Sequence, residues 1–554
     1  MPSILGTVRA QAAVIALGLA LASMSISVGF LTDDQAFRAA LHTRAPYDLF
    51  RFAPGDPTAT SWLVRSGHLP WWSAPELRIH FWRPLTSLAF ALDDRVFGDH
   101  PLGYHLVSLA WLAVLFVAVA RFFRAFLPPV AATLALAVFT FAASHVQAYA
   151  WISARHALLG AVFAAIALAW QAEGRPAWGV GLALVIGLLA SESALAAVPL
   201  SVALAFGRDR RMRAAWPAVI VAVAYVAAYV ALGFGTRASG GYHDPASDPR
   251  GFAVLALTRL PILLGDAALA IPAELAFVVT PWKLASIGLV AVLLVLLAVR
   301  ATRARGVVRW LALGGIAATF LGVTGYPSGR MLLVPDLAFA ALLGLVLAGV
   351  REARRGGKVL VGVIAIAHLV LGPFAIVRQL RELTRRARAT ETIADEVRAL
   401  APPEARFFLV AASDPSVFLY PRGLLAQEAP GAVRCWSVLS AAKAGHRLTR
   451  IDDHVLRLEP IERPLLDGSF DALFRGPGHP FAVDDTVEQC GATIRIRAVK
   501  DGLPSELEIT FARRLDDPRL AFAVWQAGRL ERLSMPAPGE TIFLPWAPGP
   551  TRVF

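Results

Sequence analysis

Cysteine is scarce in this chain: two residues, Cys435 and Cys490, stand among 554, and both lie near the C-terminus. No Cys/His cluster has the spacing of a zinc site, and the sequence lacks a Walker loop, a Gly-x-Ser-x-Gly elbow and an internal repeat. Zinc chemistry, ATP hydrolysis and serine hydrolysis therefore have no support in the sequence. The two cysteines form one disulfide in an oxidising compartment or remain as two buried thiols, and the sequence leaves both readings open.

Acidic residues are outnumbered, with 40 Asp and Glu against 53 Lys and Arg and a net charge of +13. The basic residues cluster in short stretches between apolar runs, which is typical of the cytoplasmic loops of a membrane protein. This distribution excludes nucleic acid as the partner. Hydrophobic residues make up 56% of the chain and the mean hydropathy is +0.57, so the sequence predicts a polytopic α-helical membrane protein.

About eleven apolar segments lie near the length of roughly 20 residues that crosses a bilayer. They are 10–31, 103–120, 129–146, 153–170, 177–190, 194–206, 214–233, 282–299, 309–325, 331–349 and 358–377. We interpret the first as a retained span, since its apolar core is long for a signal peptide and aspartates follow it closely. With the N-terminus inside, the arginine-rich stretches 208–213 and 300–309 lie in the cytoplasm. Joining 177–206 into one kinked helix would move the 208–213 stretch outside, so two separate spans are preferred.

This parity predicts three extracytoplasmic segments: a loop of residues 32–102, a loop of 234–281, and everything after about 378. The first loop is expected to lie at the lipid interface, anchored by Trp71, Trp72 and Trp82. Residues 253–274 are apolar but interrupted by charges and prolines, which indicates an interfacial or re-entrant segment.

The predicted domains are a transmembrane domain, 1–378, a charged juxtamembrane helix, 379–400, and a soluble extracytoplasmic domain, 401–554. In the last of these, several segments have the alternation or the β-branched content of strands: ARFFLVAAS, ATIRIRAV, ELEITFAR, LAFAVWQ and ETIFLPW. We therefore expect a β-rich or α/β fold there.

Two adjacent carboxylates, Asp33 and Asp34, follow the first span directly. Such a pair is costly inside hydrocarbon but tolerated at its edge, where one carboxylate can stay ionised as a general base beside a bound substrate. The alternative is that Asp33 simply ends the helix and contacts water.

Further polar groups fall near the predicted outer face. Arg83 has the planar fork that suits a bidentate phosphate contact, although an arginine there also snorkels to lipid headgroups. Arg330 is the lone cation of a tight outer turn, and Glu192 lies between two apolar runs, so it should face protein or a water-filled cavity. Asp93 and Asp94 are expected to cap a helix or to pair with Arg95. Four histidines lie at the same level and are expected either to form polar contacts or to titrate near neutrality: His80, His105, His145 and His156.

Six segments, taken in order, resemble the landmarks of bacterial GT-C membrane glycosyltransferases. They are TDDQAF, FWRPLTSLAFALDDRVFGDHPLGYHLVSL, HVQAYAWISARHALLGAVFA, SESALAAVPL, GGYHDP and YPSGRMLLVPDLAFA. The likeness covers roughly residues 10–350 and is to the branch related to protein O-mannosyltransferases and TPR-bearing O-mannosyltransferases, although the C-terminal domain is not a TPR array. It implies a GT-C-like fold in the bacterial inner membrane and transfer of a hexose from a polyprenyl-phosphate carrier to an extracytoplasmic protein or glycolipid acceptor.

The resemblance also implies site residues. Asp33 and Asp34 would be catalytic, no cofactor or metal is indicated, and the substrate contacts would come from His80, Arg83, His105, Arg155, Glu192 and Arg330. The sequence departs from the family pattern at four positions, where relatives often carry Asn, Glu, Asp and Lys: Ser108, Gln147, Ala157 and Ser191.

These departures keep an alternative open, a non-catalytic membrane scaffold or assembly factor for cell-envelope polysaccharide. A secondary transporter would require paired half-sequence repeats and charges at mid-bilayer, whereas the charges here gather at one face.

Overall fold

The computed structural model describes residues 4–209, 211–245, 248–302, 307–428 and 431–551. Of the arginines predicted to lie in the cytoplasm, Arg210, Arg303 and Arg305 are outside these ranges. The chain forms a helical part that ends at Leu400, and a domain rich in β-strands follows it.

The helical part is a succession of helices joined by short connections. They are α1 (Val8–Ala22), α2 (Asp33–Leu41), α3 (Pro57–Arg65), α4 (Pro84–Phe97), α5 (Pro101–Phe126), α6 (Pro129–Thr140), α7 (Val146–Ala150), α8 (Arg155–Ala172), α9 (Ala177–Ala190), α10 (Ala197–Leu204), α11 (Trp216–Ala231), α12 (Pro249–Leu269), α13 (Pro281–Ala301), α14 (Val307–Leu321), α15 (Asp336–Ala348), α16 (Arg355–Ala365) and α17 (Gly372–Leu400). Many begin at a proline, whose fixed φ suits a first helical turn and whose missing N–H would have no partner there.

Seven of the described helices are long and apolar enough to cross a membrane, or up to eight if the bent pair Pro129–Thr140 and Ala143–Ala150 is one span. Three shorter apolar helices fall below that length: Ala177–Ala190, Glu192–Gly207 and Arg309–Thr324. The apolar helices support a polytopic membrane protein, but the predicted number of about eleven spans is not confirmed.

The segment predicted to be interfacial or re-entrant is mostly one helix. α12 runs without a break through Pro261 and is among the helices that meet the length and composition of a span. It packs on α13 with the two backbones in contact, because a Cβ on Gly288 would lie 2.1 Å from the Pro261 carbonyl oxygen. Close approach at small residues is typical of helix pairs in membranes.

The two predicted outer loops meet in a three-stranded antiparallel sheet, made of β1 (Arg51–Pro54), β2 (Arg78–His80) and β3 (Gly235–Arg237). Trp71 and Trp72, in the connection before β2, are fully buried in the core of the C-terminal domain, and the Trp71 indole N–H donates to the Leu439 carbonyl at 3.2 Å. The prediction that they anchor in lipid is wrong because the C-terminal domain covers them. Trp82 instead stacks on Tyr225, with ring centroids 5.4 Å apart.

The C-terminal domain has two sheets. Its elements are β4 (Ala405–Ala411), α18 (Pro415–Phe418), α19 (Tyr420–Glu428), β5 (Val433–Ser440), β6 (His446–Arg450), β7 (Val455–Pro460), β8 (Thr486–Gln489), β9 (Ala492–Lys500), β10 (Leu503–Phe511), β11 (Leu520–Gln526), β12 (Arg529–Arg532) and β13 (Thr541–Leu544). The strand order is β12-β11-β4-β5 in one sheet, where β4 runs parallel to both neighbours, and β13-β6-β7-β10-β9-β8 in the other, which is antiparallel. The five segments predicted to be strands coincide with β4, β9, β10, β11 and β13, which confirms them.

Two helices, α17 and α19, attach this domain to the rest of the chain, and a disulfide lies within it. α17 continues from the apolar part, and its last turns bury Ile393, Ala394 and Val397 in the core of the C-terminal domain. Cys435 on β5 and Cys490 after β8 form a disulfide, which resolves the alternative that the sequence left open and joins the two sheets. Helix α19 packs on α2, where the backbone of Gly423 lies against Ala36. The helix that begins with the two aspartates is therefore held between the membrane part and the C-terminal domain.

Candidate functional site

A cavity of about 2200 Å³ lies between the helical part, the outer-loop sheet and the C-terminal domain. Most of its wall is apolar, but nine arginines and five carboxylates also line it in the described part of the chain. A cavity with this excess of cations suits a ligand that combines an apolar body with an anionic group.

Asp33 and Asp34 have different environments although they are adjacent in sequence. Asp33, the first residue of α2, is half-buried and lines the cavity. Asp34 is fully buried, and its carboxylate accepts hydrogen bonds from the Leu31 N–H at 2.8 Å and the Ser153 N–H at 2.6 Å. Successive residues of a helix point about 100° apart, so only one of the pair can face the cavity. Asp34 instead connects α2 to the turn before α8 through its hydrogen bond from the Ser153 N–H.

Burial raises the pKa of both carboxyls. The pKa of Asp33 is raised to about 6 by desolvation, against which the positive charge of Arg330 acts. The pKa of Asp34 is raised to about 7 by desolvation, opposed by its hydrogen bonds from Leu31 and Ser153. A carboxylate with a pKa near 6 is ionised at neutral pH yet basic enough to accept a proton, which is the property that a general base needs.

Arg330 lines the cavity and has no carboxylate partner among the described residues. Its guanidinium lies over the Trp151 ring, 5.4 Å from the centroid. Its Nε is buried without a hydrogen-bond partner, and in the ranges that the structure describes no Asp or Glu lies at ion-pair distance from it. A half-buried guanidinium with a buried, unpartnered Nε is suited to bind an anionic group of a ligand.

Arg83 also lines the cavity, but its charge is neutralised by Glu192. Its Nε donates to Glu192 Oε2 at 2.8 Å, and a second guanidinium nitrogen donates to the other carboxylate oxygen. The guanidinium carbon lies 4.7 Å from the Phe50 ring centroid and 4.4 Å from that of Phe81. This bidentate pair leaves Arg83 less free for phosphate than the sequence suggested, and it places both predicted residues in the same wall.

The other predicted substrate contacts are not among the residues that line the cavity. His80 bonds through Nε2 to Asp48 at 2.7 Å, and His105 Nε2 lies 3.1 Å from the Gly29 carbonyl oxygen. Arg155 is buried and pairs with Asp93. The contacts of His80, His105 and Arg155 are thus with other protein groups around the cavity.

The remaining polar groups from the sequence are distributed in the same way. Asp94 accepts a hydrogen bond from Arg38 at 3.0 Å, and Asp93 pairs with Arg155. The predicted ion pair of these aspartates with Arg95 is therefore not formed. His145 pairs with Asp336 at 2.8 Å in the interior, whereas His156 does line the cavity and bonds to the Ser191 hydroxyl at 3.1 Å.

Glu274 and Tyr420 are among the polar residues of the cavity that the sequence did not predict. Glu274 accepts from Gln147 Nε2 at 3.1 Å and from the Gly329 N–H at 2.8 Å, and its Oε2 is buried without a partner. An isolated carboxylate after a proline in an apolar stretch was a usable signal for it. Tyr420 reaches the cavity from the C-terminal domain and interacts electrostatically with Asp33 and Arg330. Nothing in the sequence placed a residue of that domain there.

Among the described residues, no group of three or more His, Cys, Asp and Glu side chains is arranged to hold a metal ion. The fold and the cavity together define the class as a polytopic helical membrane protein with a large cavity beneath a β-rich C-terminal domain.

Comparison with known proteins gives a similarity in structure but none in sequence. No protein-family model and no curated protein sequence matches the chain. Among solved structures, the chain is similar to ArnT from Cupriavidus metallidurans bound to undecaprenyl phosphate, at 14% sequence identity and a TM-score of 0.36, over 77% of this chain and 89% of that one.

Proposed function

We propose that the protein is a GT-C-type glycosyltransferase of the bacterial inner membrane, which moves a sugar from a polyprenyl-phosphate carrier to an extracytoplasmic protein or glycolipid. The observation that carries the proposal is the placement of Asp33 and Arg330 in one largely apolar cavity. A general base and a cation without a carboxylate partner are the two groups that displacement of a lipid phosphate from a sugar requires.

The reaction follows from these positions. The acceptor hydroxyl oxygen attacks the anomeric carbon, and its proton goes to the Asp33 carboxylate. The bond between that carbon and the carrier phosphate breaks, and the phosphate leaves with the electron pair, stabilised by the Arg330 guanidinium. The apolar wall of the cavity suits the prenyl chain.

The neighbouring groups have supporting roles in this proposal. Asp34 fixes the start of α2 through two backbone hydrogen bonds and so orients Asp33. The Arg83–Glu192 pair contributes to the polar wall beside the sugar. Tyr420 has a hydroxyl with no hydrogen-bond partner among the described residues, and it can bond to a substrate oxygen.

The test uses purified protein in lipid nanodiscs with a polyprenyl-phospho-sugar. Asp33→Asn keeps the shape of the side chain and removes the base, so transfer should slow by at least about 100-fold while the fold is retained. Asp501→Asn, in an exposed turn with φ +53° that asparagine also accepts, is the matched control and should leave the rate unchanged.

The same variant separates the transferase from a non-catalytic scaffold. A scaffold would use the C-terminal domain for its partner contacts and would be indifferent to the Asp33 carboxylate. The assay is complementation of a strain that lacks the gene. If Asp33→Asn restores the wild-type phenotype fully at normal protein levels, the transferase proposal is refuted.

A further inference from the structure

The cavity has a second polar region, at the seam between α3 and the C-terminal domain. The rings of Trp62 and His68 stack there, with centroids 5.6 Å apart and planes 20° from parallel. The Ser66 hydroxyl bonds to His68 Nδ1 at 2.7 Å and fixes the imidazole. The Trp62 side chain is 57% exposed although it lies in a cavity wall, so it offers an uncovered aromatic surface.

Two arginines line the cavity beside this stack. Arg422, on α19, makes no hydrogen bond or ion pair with any residue that the structure describes, and Arg44, after α2, is exposed and donates to the Arg51 carbonyl. Burial and the two neighbouring arginines lower the pKa of His68 to about 4. At neutral pH the imidazole is therefore uncharged and serves as part of the stack, while the arginines carry the positive charge.

The stack is held rigidly by the C-terminal domain. Gln489 is almost fully buried, and its amide donates to the Val64 carbonyl at 3.1 Å and to the Leu69 carbonyl at 2.8 Å, on either side of Gly67. Gly67 has φ +71°, and a Cβ there would lie 2.3 Å from the Trp436 carbonyl oxygen. The turn that carries His68 therefore packs directly against the C-terminal domain.

We propose that Trp62, His68, Arg44 and Arg422 form a binding subsite for a sugar unit that carries a carboxylate or a phosphate. The C–H face of a sugar ring packs on the negative face of an aromatic ring, and a guanidinium fork binds the anionic group. The inference rests on the proposed transferase function, because it assigns this subsite to the acceptor and makes the acceptor an acidic glycan or glycolipid rather than an unmodified protein.

The subsite is tested by titrating the purified full-length protein, in detergent, with glucose 6-phosphate, glucuronate, glucose and inorganic phosphate, followed by saturation-transfer NMR. We expect at least one of the two acidic sugars to bind at least about tenfold more tightly than glucose or phosphate alone, and the stronger of the two identifies the anionic group. Trp62→Ala and Arg422→Gln should each weaken that binding about tenfold or more.

The C-terminal domain offers two matched control positions that lie outside the cavity. Trp546→Ala removes a tryptophan that is 45% exposed, and Arg532→Gln removes an exposed arginine, and neither residue lines the cavity. Because Trp62 is largely exposed, its truncation should not unfold the protein, and a thermal melt checks this. Glucose binding as tightly as the acidic sugars, phosphate alone binding as tightly and insensitive to Trp62→Ala, or no sugar binding at all would each overturn the subsite.

A separate titration with polyprenyl phosphate distinguishes this proposal from the transferase. Trp62→Ala and Arg422→Gln should bind that lipid as the wild type does. Failure of the wild type to bind it would refute the proposed function, while the sugar titration would still decide whether the subsite exists.

Discussion

Replacement of Arg330 by glutamine perturbs the only cation of the cavity that is coupled to Asp33 and has no carboxylate partner among the described residues. If its guanidinium binds the carrier phosphate, the substitution removes a charge-assisted hydrogen bond worth about 1.5–3 kcal/mol. The Kd for polyprenyl phosphate should then increase by about 10- to 150-fold.

The same substitution should change the pH dependence of transfer. The pKa of Asp33 is raised to about 6 by burial, and the positive charge of Arg330 opposes that increase. Without this charge the pKa rises further. Because a general base acts in its ionised form, kcat/KM increases as the pH rises through the pKa, so the rising limb should move from about pH 6 to higher pH.

The assay is kcat/KM between pH 5 and 9 together with the Kd for polyprenyl phosphate. Arg330→Lys retains the charge but not the planar fork, so its rising limb should stay near that of the wild type while donor binding weakens. Arg532→Gln is the control for loss of an exposed arginine. A rising limb that does not move in Arg330→Gln would refute the coupling to Asp33, and an unchanged Kd would refute the phosphate contact.

Three further predictions concern stability, topology and the C-terminal domain. Asp34→Asn should lower the unfolding free energy by about 1–3 kcal/mol, because one of two buried backbone N–H groups loses its acceptor, and an unchanged thermal melt would contradict this. A reporter that is active only outside the inner membrane should be active when fused after residue 380 and silent within 208–213 or 300–309, and activity within 208–213 would overturn the predicted parity. Deletion of residues 401–554 should abolish donor binding as well as acceptor choice, since α19 packs on α2 and Tyr420 lines the cavity. Normal lipid binding by a well-folded truncation would show that the membrane part holds the whole carrier site.

Local patterns in the sequence were sufficient for much of the architecture. Apolar runs near bilayer length predict the helical membrane class, since they depend only on composition over consecutive residues. The alternation of apolar and polar residues in ATIRIRAV predicts β9, because this pattern is also confined to a short window of the sequence. Asp33 was singled out as part of a carboxylate pair directly after an apolar run, and Arg330 as the lone cation of a tight turn before one. The sequence did not predict α12 as one continuous helix, since its charges and prolines resembled an interruption. In the structure Arg259 donates to the Val323 and Gly325 carbonyls, and Asp266 accepts from the Ala273 N–H.

The tertiary structure alone decided which of these charges line the cavity. The rotation of α2 directs Asp33 to the cavity and Asp34 to two backbone donors, although both are the same residue type one position apart. Arg83 pairs with Glu192 across 109 residues, and Tyr420 enters from a separate domain. Such contacts depend on how distant elements pack, and periodicity within a short window carries no information about them.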